Sequence, residues 1–349
     1  MKKILYLAVM IVVAFFASCS NKEIEVGYSL NVKVDPSEVV APFKPWSAGD
    51  LDACPEGYML RVHVFAYNSE GVLKGSAVSY VNNYGSIASV DLHLPIGAYT
   101  LLAVTDVIKG TEQNTSTEYW SFSGQENITT LKVAKTQWIS YSRGILGIAN
   151  IQQTVSSQNL SLTLKPKAAG ALIISHIWNL HYYNTVSEYQ LLVNRNSDFM
   201  SFSTDGSYMP SIKNNNNSYD WRIHLVDVAD YKNYTGAYAY CFLLPVSNMG
   251  FRYVYTYTDG GTKKRGTTGA ITLTLKAGEE YLMELDMCNT EENNDITFYA
   301  YTINTNSSSR RSGNFVESMG HGQFSMTRWG DGLNVSSAKI VDLIDAIDE

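Results

Sequence analysis

The chain has 349 residues and a formal net charge of −7, with 45% hydrophobic and 17% charged residues. That length exceeds what one hydrophobic core usually serves, so two domains are expected, and the composition is too apolar and too weakly charged for a disordered chain. The acidic balance excludes a surface built to hold phosphates, which needs clustered Lys and Arg, so nucleic acid is not an expected partner.

At the amino end, Lys2 and Lys3 precede an uninterrupted apolar run from Ile4 to Ala17. The run falls short of the roughly 20 residues that span a bilayer and fits the core of an export signal. Phe16-Ala17-Ser18-Cys19 follows, with small residues directly before a cysteine. This resembles the lipobox of bacterial lipoproteins, with Phe16 where Leu is more usual. The resemblance implies cleavage before Cys19, residues 1–18 as a signal peptide, and palmitate-type acylation of the Cys19 sulfur. Each buried methylene contributes about 0.8 kcal/mol, so one chain holds marginally and two or three hold stably. An ordinary secretory signal with a chance cysteine is the competing reading. Ser20-Asn21-Lys22-Glu23-Ile24-Glu25 loosely resembles the acidic tag that sends lipoproteins of the Bacteroidota across the outer membrane. It implies an outer-membrane, lipid-anchored, cell-surface location.

Beyond the anchor the apolar period is two almost throughout, which predicts strands. The 24 tyrosines agree, because a packed ring with a wet hydroxyl suits a half-buried sheet. Tyr28, Leu30, Val32 and Val34 form a first strand, and the stretch from Asp35 to Gly57, with Pro36, Pro42, Pro45 and Pro55, reads as a long loop. Leu60, Val62, Val64 and Ala66 alternate before a turn at Asn68-Ser69-Glu70-Gly71. Val90, Leu92 and Leu94 then lead through Pro95-Ile96-Gly97 to Tyr99, Leu101 and Ala103, which reads as a hairpin.

The second half repeats this grammar. Leu160, Leu162 and Leu164 precede a turn from Pro166 to Gly170, then Leu172 and Ile174. Ile271, Leu273 and Leu275 precede Ala277-Gly278, then Tyr281, Met283 and Leu285. This last unit and the one from Val90 to Ala103 each place a Tyr shortly after the turn glycine, which suggests two β-sandwiches of one design. The expected division is residues 19–157 for an N-terminal sandwich, 158–290 for a C-terminal sandwich and 291–349 for an extension, with the boundary in the polar stretch Ile151 to Gln158. Val186 to Leu192 reads as a short helix or an irregular strand, and Asn214 to Asn217 as a loop tip. The tail from Ser336 to Asp348 has Ile340, Val341, Leu343, Ile344 and Ile347 at helical spacing, a possible short C-terminal helix. Its Asp342, Asp345 and Asp348 sit at the wrong end for the helix dipole, so it would need docking.

No constellation of catalytic groups stands out. His63, His93, His176, His181, His224 and His321 show no metal-ligand spacing, and no P-loop, GxSxG elbow or GxGxxG occurs. No enzyme activity, metal or cofactor is expected. Past Cys19 the cysteines are Cys54, Cys241 and Cys288, an odd number that allows at most one disulfide. Cys241 and Cys288 lie in apolar strand-like runs, where a buried free thiol is the plainer reading. Trp120, Trp138, Trp178, Trp221 and Trp329 could stack on sugar rings if exposed on one face; the plainer reading is a sandwich core. The Gly-rich stretch from Met319 to Gly332, with Phe324 and Trp329, could form an exposed binding loop.

Leu60-Arg61-Val62-His63-Val64-Phe65-Ala66-Tyr67-Asn68-Ser69-Glu70-Gly71-Val72-Leu73 ends a strand in a Phe–polar–Gly–hydrophobic turn, and Leu92-His93-Leu94-Pro95-Ile96-Gly97-Ala98-Tyr99-Thr100-Leu101-Leu102-Ala103 follows. With the lipobox, these residues resemble the fimbrillin-like lipoproteins of the Bacteroidota, in particular the FimB-type fimbrial anchor family, over residues 1–150. The resemblance implies an all-β fold of two transthyretin-like (prealbumin-like) sandwiches, tethered by lipid and serving a pilus as an anchor or accessory subunit in adhesion and assembly. Its implied partners are fimbrial subunits, paired through β-strand contacts. A surface glycan-binding lipoprotein is the alternative, with a glycan or host surface as partner. Polymerising stalk subunits of such pili are cut after an Arg or Lys beyond the first strand. Here no Arg precedes Arg61, which sits inside a predicted strand, and Lys44 is the one basic residue in between. An uncut anchor or accessory subunit is therefore expected.

Overall fold

A computed structural model describes residues 27–43, 54, 57–111, 114–136, 144–178, 186–214, 218–219, 221–227, 236–286, 297–303, 314–315, 324–325 and 338–345. In the first half the elements are β1 (Tyr28–Val34), α1 (Ser37–Val40), β2 (Tyr58–Asn68), β3 (Leu73–Val81), β4 (Ala88–Leu94), β5 (Gly97–Thr111), β6 (Asn114–Glu118), β7 (Trp120–Ser123), β8 (Lys132–Lys135), β9 (Leu146–Val155), β10 (Leu160–Leu164) and β11 (Lys167–Ala168). The second half begins with β12 (Ala171–Trp178), β13 (Val186–Val193), β14 (Arg195–Phe202), β15 (Tyr208–Asn214), β16 (Trp221–Asp227), β17 (Gly236–Leu243) and β18 (Met249–Asp259). It continues with β19 (Thr262–Thr268), β20 (Ile271–Leu273), β21 (Glu280–Asp286), β22 (Thr297–Ile303), β23 (Asn314–Phe315), β24 (Phe324–Ser325) and β25 (Ala338–Asp345). The protein is all-β.

The first half is built in three layers. A three-stranded sheet, β10-β1-β4, faces a six-stranded sheet, β11-β9-β5-β2-β3 with β6 on β5. Alternation decides what lies between them. Leu30, Val32 and Val34 of β1, Val62 and Val64 of β2 and Leu92 and Leu94 of β4 fill one core. The opposite face of the six-stranded sheet is apolar as well: Phe65, Tyr67, Leu102 and Val104 point into a second core. A third layer covers that face, the four-stranded sheet β15-β14-β8-β7 together with α1. A strand buried on both faces loses its polar alternation, which is why β2 is apolar on both sides from Val62 to Tyr67 apart from His63.

The third layer joins the two halves, since β14 and β15 come from the second half and β14 pairs with β8 at Phe199↔Ala134, Met200↔Val133 and Ser201↔Lys132. Ala169, Leu172, Ile174, Phe242 and Leu244 of the second half belong to the same core as Phe43, Trp120 and Val133. The remaining strands run in the order β16-β13-β18-β19-β25-β22-β21-β12-β17 around a separate core that includes Ile173, Tyr189, Phe251, Tyr253 and Tyr281. The stretch Ile151 to Gln158 forms the end of β9 and the turn into β10, and β10 pairs in parallel with β1. Strand pairing changes from one group of sheets to the other between Ala168 and Ala171.

Several expectations change here. The turn Pro95-Ile96-Gly97 does not make a hairpin: β4 pairs with β1, whereas β5 pairs with β2 and β9. It is an arch from one sheet to the facing one. Periodicity reports which side chains face inward and is silent about the partner strand; Leu92, Leu94 and Leu101 all reach the same core, from opposite walls. The Ala277-Gly278 turn is likewise an arch, from β20 on β18 to β21 on β12. The shared tyrosine has a definite role in both. Tyr99 Oη donates to the Pro95 carbonyl at 2.9 Å and Tyr281 Oη to the Thr274 carbonyl at 2.8 Å, each tying the returning strand to its turn. A true hairpin stands at β2–β3, closed by Gly71 at φ 76° with Asn68 Oδ1 accepting from the Val72 amide at 2.8 Å. Val186 to Leu192 is strand β13. The tail is also a strand rather than a helix: β25 pairs with β19 from Ile340 to Asp345 and with β22 at Ala338 and Lys339. Its β-branched residues and ill-placed aspartates make a poor helix, and the gap between β19 and β22 offers a ladder.

Candidate functional site

Cys19 lies outside the described residues, as do Lys44, Trp138, Trp329, His181, His321, Cys288 and the other residues of the Gly-rich stretch apart from Phe324 and Ser325. The site that the fold builds next to the expected anchor is β1. It pairs with β4 in antiparallel register from Tyr28↔Leu94 to Val34↔Ala88, and with β10 in parallel register from Leu30↔Leu160 to Val34↔Leu164. The first strand is therefore the central strand of its sheet. Leu30, Val32 and Val34 are each 0% exposed, and burying each contributes roughly 1.5–3 kcal/mol. On the outer face Asn31 bridges all three strands: its Nδ2 donates to Ser89 Oγ and Asp91 Oδ1, both at 2.9 Å, and Ser161 Oγ donates to its Oδ1 at 3.4 Å.

In the two facing sheets of the first half, the strands that end a sheet among the described residues include β3, β4, β10 and the two-residue β11, of which the three longer ones offer a ladder edge. Unpaired backbone amides and carbonyls along such an edge are the groups a partner strand recognises. The β4 edge carries exposed Asp91 and His93, and both ends of β3 are covered, by Glu126 O accepting from the Leu73 amide and by Asn82 O accepting from the Cys54 amide. The β10 edge differs. Leu160 and Leu162 alternate along it only half-buried against the core between the two sheets.

The aromatic candidates divide. Trp120 is wholly buried and its Nε1 donates to Gly144 O at 3.0 Å, so it is a core residue. Trp221 in β16 is half-buried against the second-half core. Trp178 holds a place in β12 opposite Gly236 and Asp286, and His176 one opposite Tyr238 and Glu284. His224 lies in β16 opposite Leu191.

Arg61 and Asp106 form a pair that the sequence reading missed. Arg61 Nε donates to Asp106 Oδ1 at 2.9 Å and Nη2 to Oδ2 at 2.8 Å, while Nη2 also reaches the Trp120 carbonyl at 3.0 Å. The guanidinium lies 4.8 Å from the Phe122 ring centroid. Lone opposite charges in two apolar strand runs were the available signal. Arg61 is 7% exposed in the middle of a paired strand, which withdraws it from any protease acting on the folded chain. His63 stacks on Phe65 at 3.8 Å between centroids, and burial, aided by the Arg61 charge, pulls its pKa down to about 4. Burial pushes the Cys54 thiol up to about 11, and both Cys54 and Cys241 are free. Among the described residues no group of three or more His, Cys, Asp and Glu could hold a metal ion. No described helix is long and apolar enough to cross a membrane.

No family model matches the chain, and no curated protein matches it. Several solved structures do. A candidate polysaccharide-binding protein (DUF1812) from Bacteroides thetaiotaomicron is 12% identical, with a TM-score of 0.45 over 74% of this chain and 92% of its own. The fimbrial anchor protein Mfa2 from Porphyromonas gingivalis is 10% identical, with a TM-score of 0.43 over 86% of this chain and 100% of its own. A candidate cell adhesion protein from Bacteroides eggerthii is 10% identical, with a TM-score of 0.42 over 94% of this chain and 100% of its own. At such low scores and identities the functional reading rests on this chain's own residues and strand pairing.

Proposed function

We propose that this chain is a non-catalytic outer-membrane lipoprotein that serves a fimbrium as an anchor or accessory subunit, facing outward from the cell. Cys19 carries the acyl chains, and the body pairs with fimbrial subunits through β-strand contacts. The observation that carries this reading is the state of β1. The strand closest to the expected anchor is the intact centre of a three-stranded sheet, with Leu30, Val32 and Val34 sealed in the core. A subunit that polymerises by losing its first strand needs an accessible basic cut site after it; Arg61 is buried inside β2, which leaves Lys44, outside the described residues, as the one candidate before it. Keeping β1 keeps the body joined to Cys19, which is what an anchor requires. The β10 edge, with its half-buried Leu160 and Leu162, supports pairing with a partner strand whose apolar residues alternate.

A deletion strain complemented with either the native gene or Cys19→Ala tests the reading. Loss of the protein should shed, shorten or dysregulate fimbriae, and Cys19→Ala should leave the protein soluble and fail to restore them. Normally anchored fibres in the deletion strain would remove the fimbrial role. An unmodified mature amino terminus in mass spectrometry would remove the lipid anchor.

A further inference from the structure

We propose that β1 is a mechanical clamp, a strand loaded in shear between a tether at its Tyr28 end and the second group of sheets at its Val34 end. This rests on the reading that the chain is held from its amino-terminal side, and it adds how a pull is carried through the fold.

The two ends of β1 differ in what surrounds them. At the Tyr28 end, Gly27 lies against the backbone of His93 and Leu94, and the Ser29 amide donates to Asn159 Oδ1 at 3.3 Å. The turns after β4 and β9 thus gather where the chain leads back toward Cys19. At the Val34 end the Asp35 amide donates to Leu164 O at 2.9 Å, and Lys165 Nζ lies 3.7 Å from both Asp35 and Glu38. Just beyond, Phe43 meets Phe242 edge-on with centroids 6.3 Å apart, and a Cβ on Gly278 would lie 3.9 Å from Pro42. Phe242 and Gly278 belong to the second half. From Tyr28 to the second-half contacts at Pro42 and Phe43, the chain therefore runs through the strand.

The second half is fastened so that a pull on it reaches β1. Besides β14 on β8, the turn between β14 and β15 is held on the first half by three side chains. Thr100 Oγ1 donates to Thr204 O at 3.0 Å, Gln152 Nε2 to Asp205 O at 3.3 Å and Asn150 Nδ2 to Gly206 O at 2.9 Å.

Ladder hydrogen bonds run across the strands, so a pull along β1 strains the bonds to β4 and β10 together, whereas a pull across it opens them one pair at a time. Slippage is also opposed. A one-residue shift would turn Leu30, Val32 and Val34 out to solvent, and Asn31 pins β1 to both neighbours. The device suits a tether: firm against drag along its axis, easily opened across it.

The test is single-molecule pulling on the full mature chain with bio-orthogonal handles. One handle sits at residue 19. The other sits either at position 277, exposed beside Gly278 at the Val34 end, or at position 96, which is 62% exposed and lies at the Tyr28 end. The first pair loads β1 along its axis and the second peels it from β4. Release of β1 should need at least about twofold more force in the axial geometry, because peeling breaks the ladder sequentially. Asn31→Ala should lower the axial force more than the peeling force. Equal or lower axial force would overturn the clamp, as would separation of the two groups of sheets below the peeling force. Failure of the tether reads out separately, as unacylated Cys19 in the native membrane fraction with the force ratio unchanged.

Discussion

Replacing Asp106 by Ala removes the carboxylate that holds Arg61 in a two-point pair, in a site where the arginine is 7% exposed and the aspartate 0%. The guanidinium would keep its Trp120 carbonyl contact and its place over Phe122, but two donor groups would lose their acceptor. Breaking a buried pair by deleting one partner costs about 3–5 kcal/mol, because the remaining charge stays out of water. With a urea slope of roughly 1–3 kcal/mol per molar, the unfolding midpoint should fall by about 1 M or more. The double variant Arg61→Met with Asp106→Leu should recover most of that loss, since apolar residues of similar volume replace a desolvated pair at little net cost. Urea titrations of the three proteins at neutral pH make the comparison. Asp106→Ala within about 1 kcal/mol of the native protein would refute the reasoning, as would a double variant no more stable than the single one.

Two further outcomes follow from the same core. His63 is held at a pKa of about 4, below the ordinary value near 6.5, so its neutral form is favoured by folding. Its contribution is full above about pH 6.5 and is lost as the pH falls from there toward 4, by up to about 3 kcal/mol. His63→Phe, which retains the ring stack on Phe65, should lose less stability than the native protein between pH 7 and 4.5 in parallel denaturation curves; equal losses would refute this. A chain ending at residue 170 would lack β14 and with it Met200 and Phe202, leaving Trp120, Val133 and Phe43 uncovered. It should bind a hydrophobic dye and melt without cooperativity, and a sharp, dye-free transition would show that the first half closes its core alone.

Membership in strands was legible because alternation needs no tertiary information: Leu30, Val32 and Val34, or Val90, Leu92 and Leu94, declare their inward face directly. The β2–β3 turn was legible for a similar local reason, an Asn that caps it and a Gly at positive φ. The arch at Pro95 to Gly97 was not, since an arch and a hairpin require the same alternation and differ only in the partner strand. Neither was the buried Arg61–Asp106 pair, because strand-borne charges usually mark a solvated face. The helical reading of the tail failed because Ile340, Val341, Leu343 and Ile344 fit either period, and an open ladder beside β19 decides between them.

By itself, then, the order of residues determined an all-β chain with a candidate anchor at Cys19 and the facing of its strands, since both depend on neighbours in sequence. Which strands meet was decided only in three dimensions. β1 lies beside β10 across the whole first half, and β14 crosses from the second half to close the core of the first. Those pairings arise because apolar faces distant in sequence have nowhere else to escape water, and single-strand patterns carry no record of that competition.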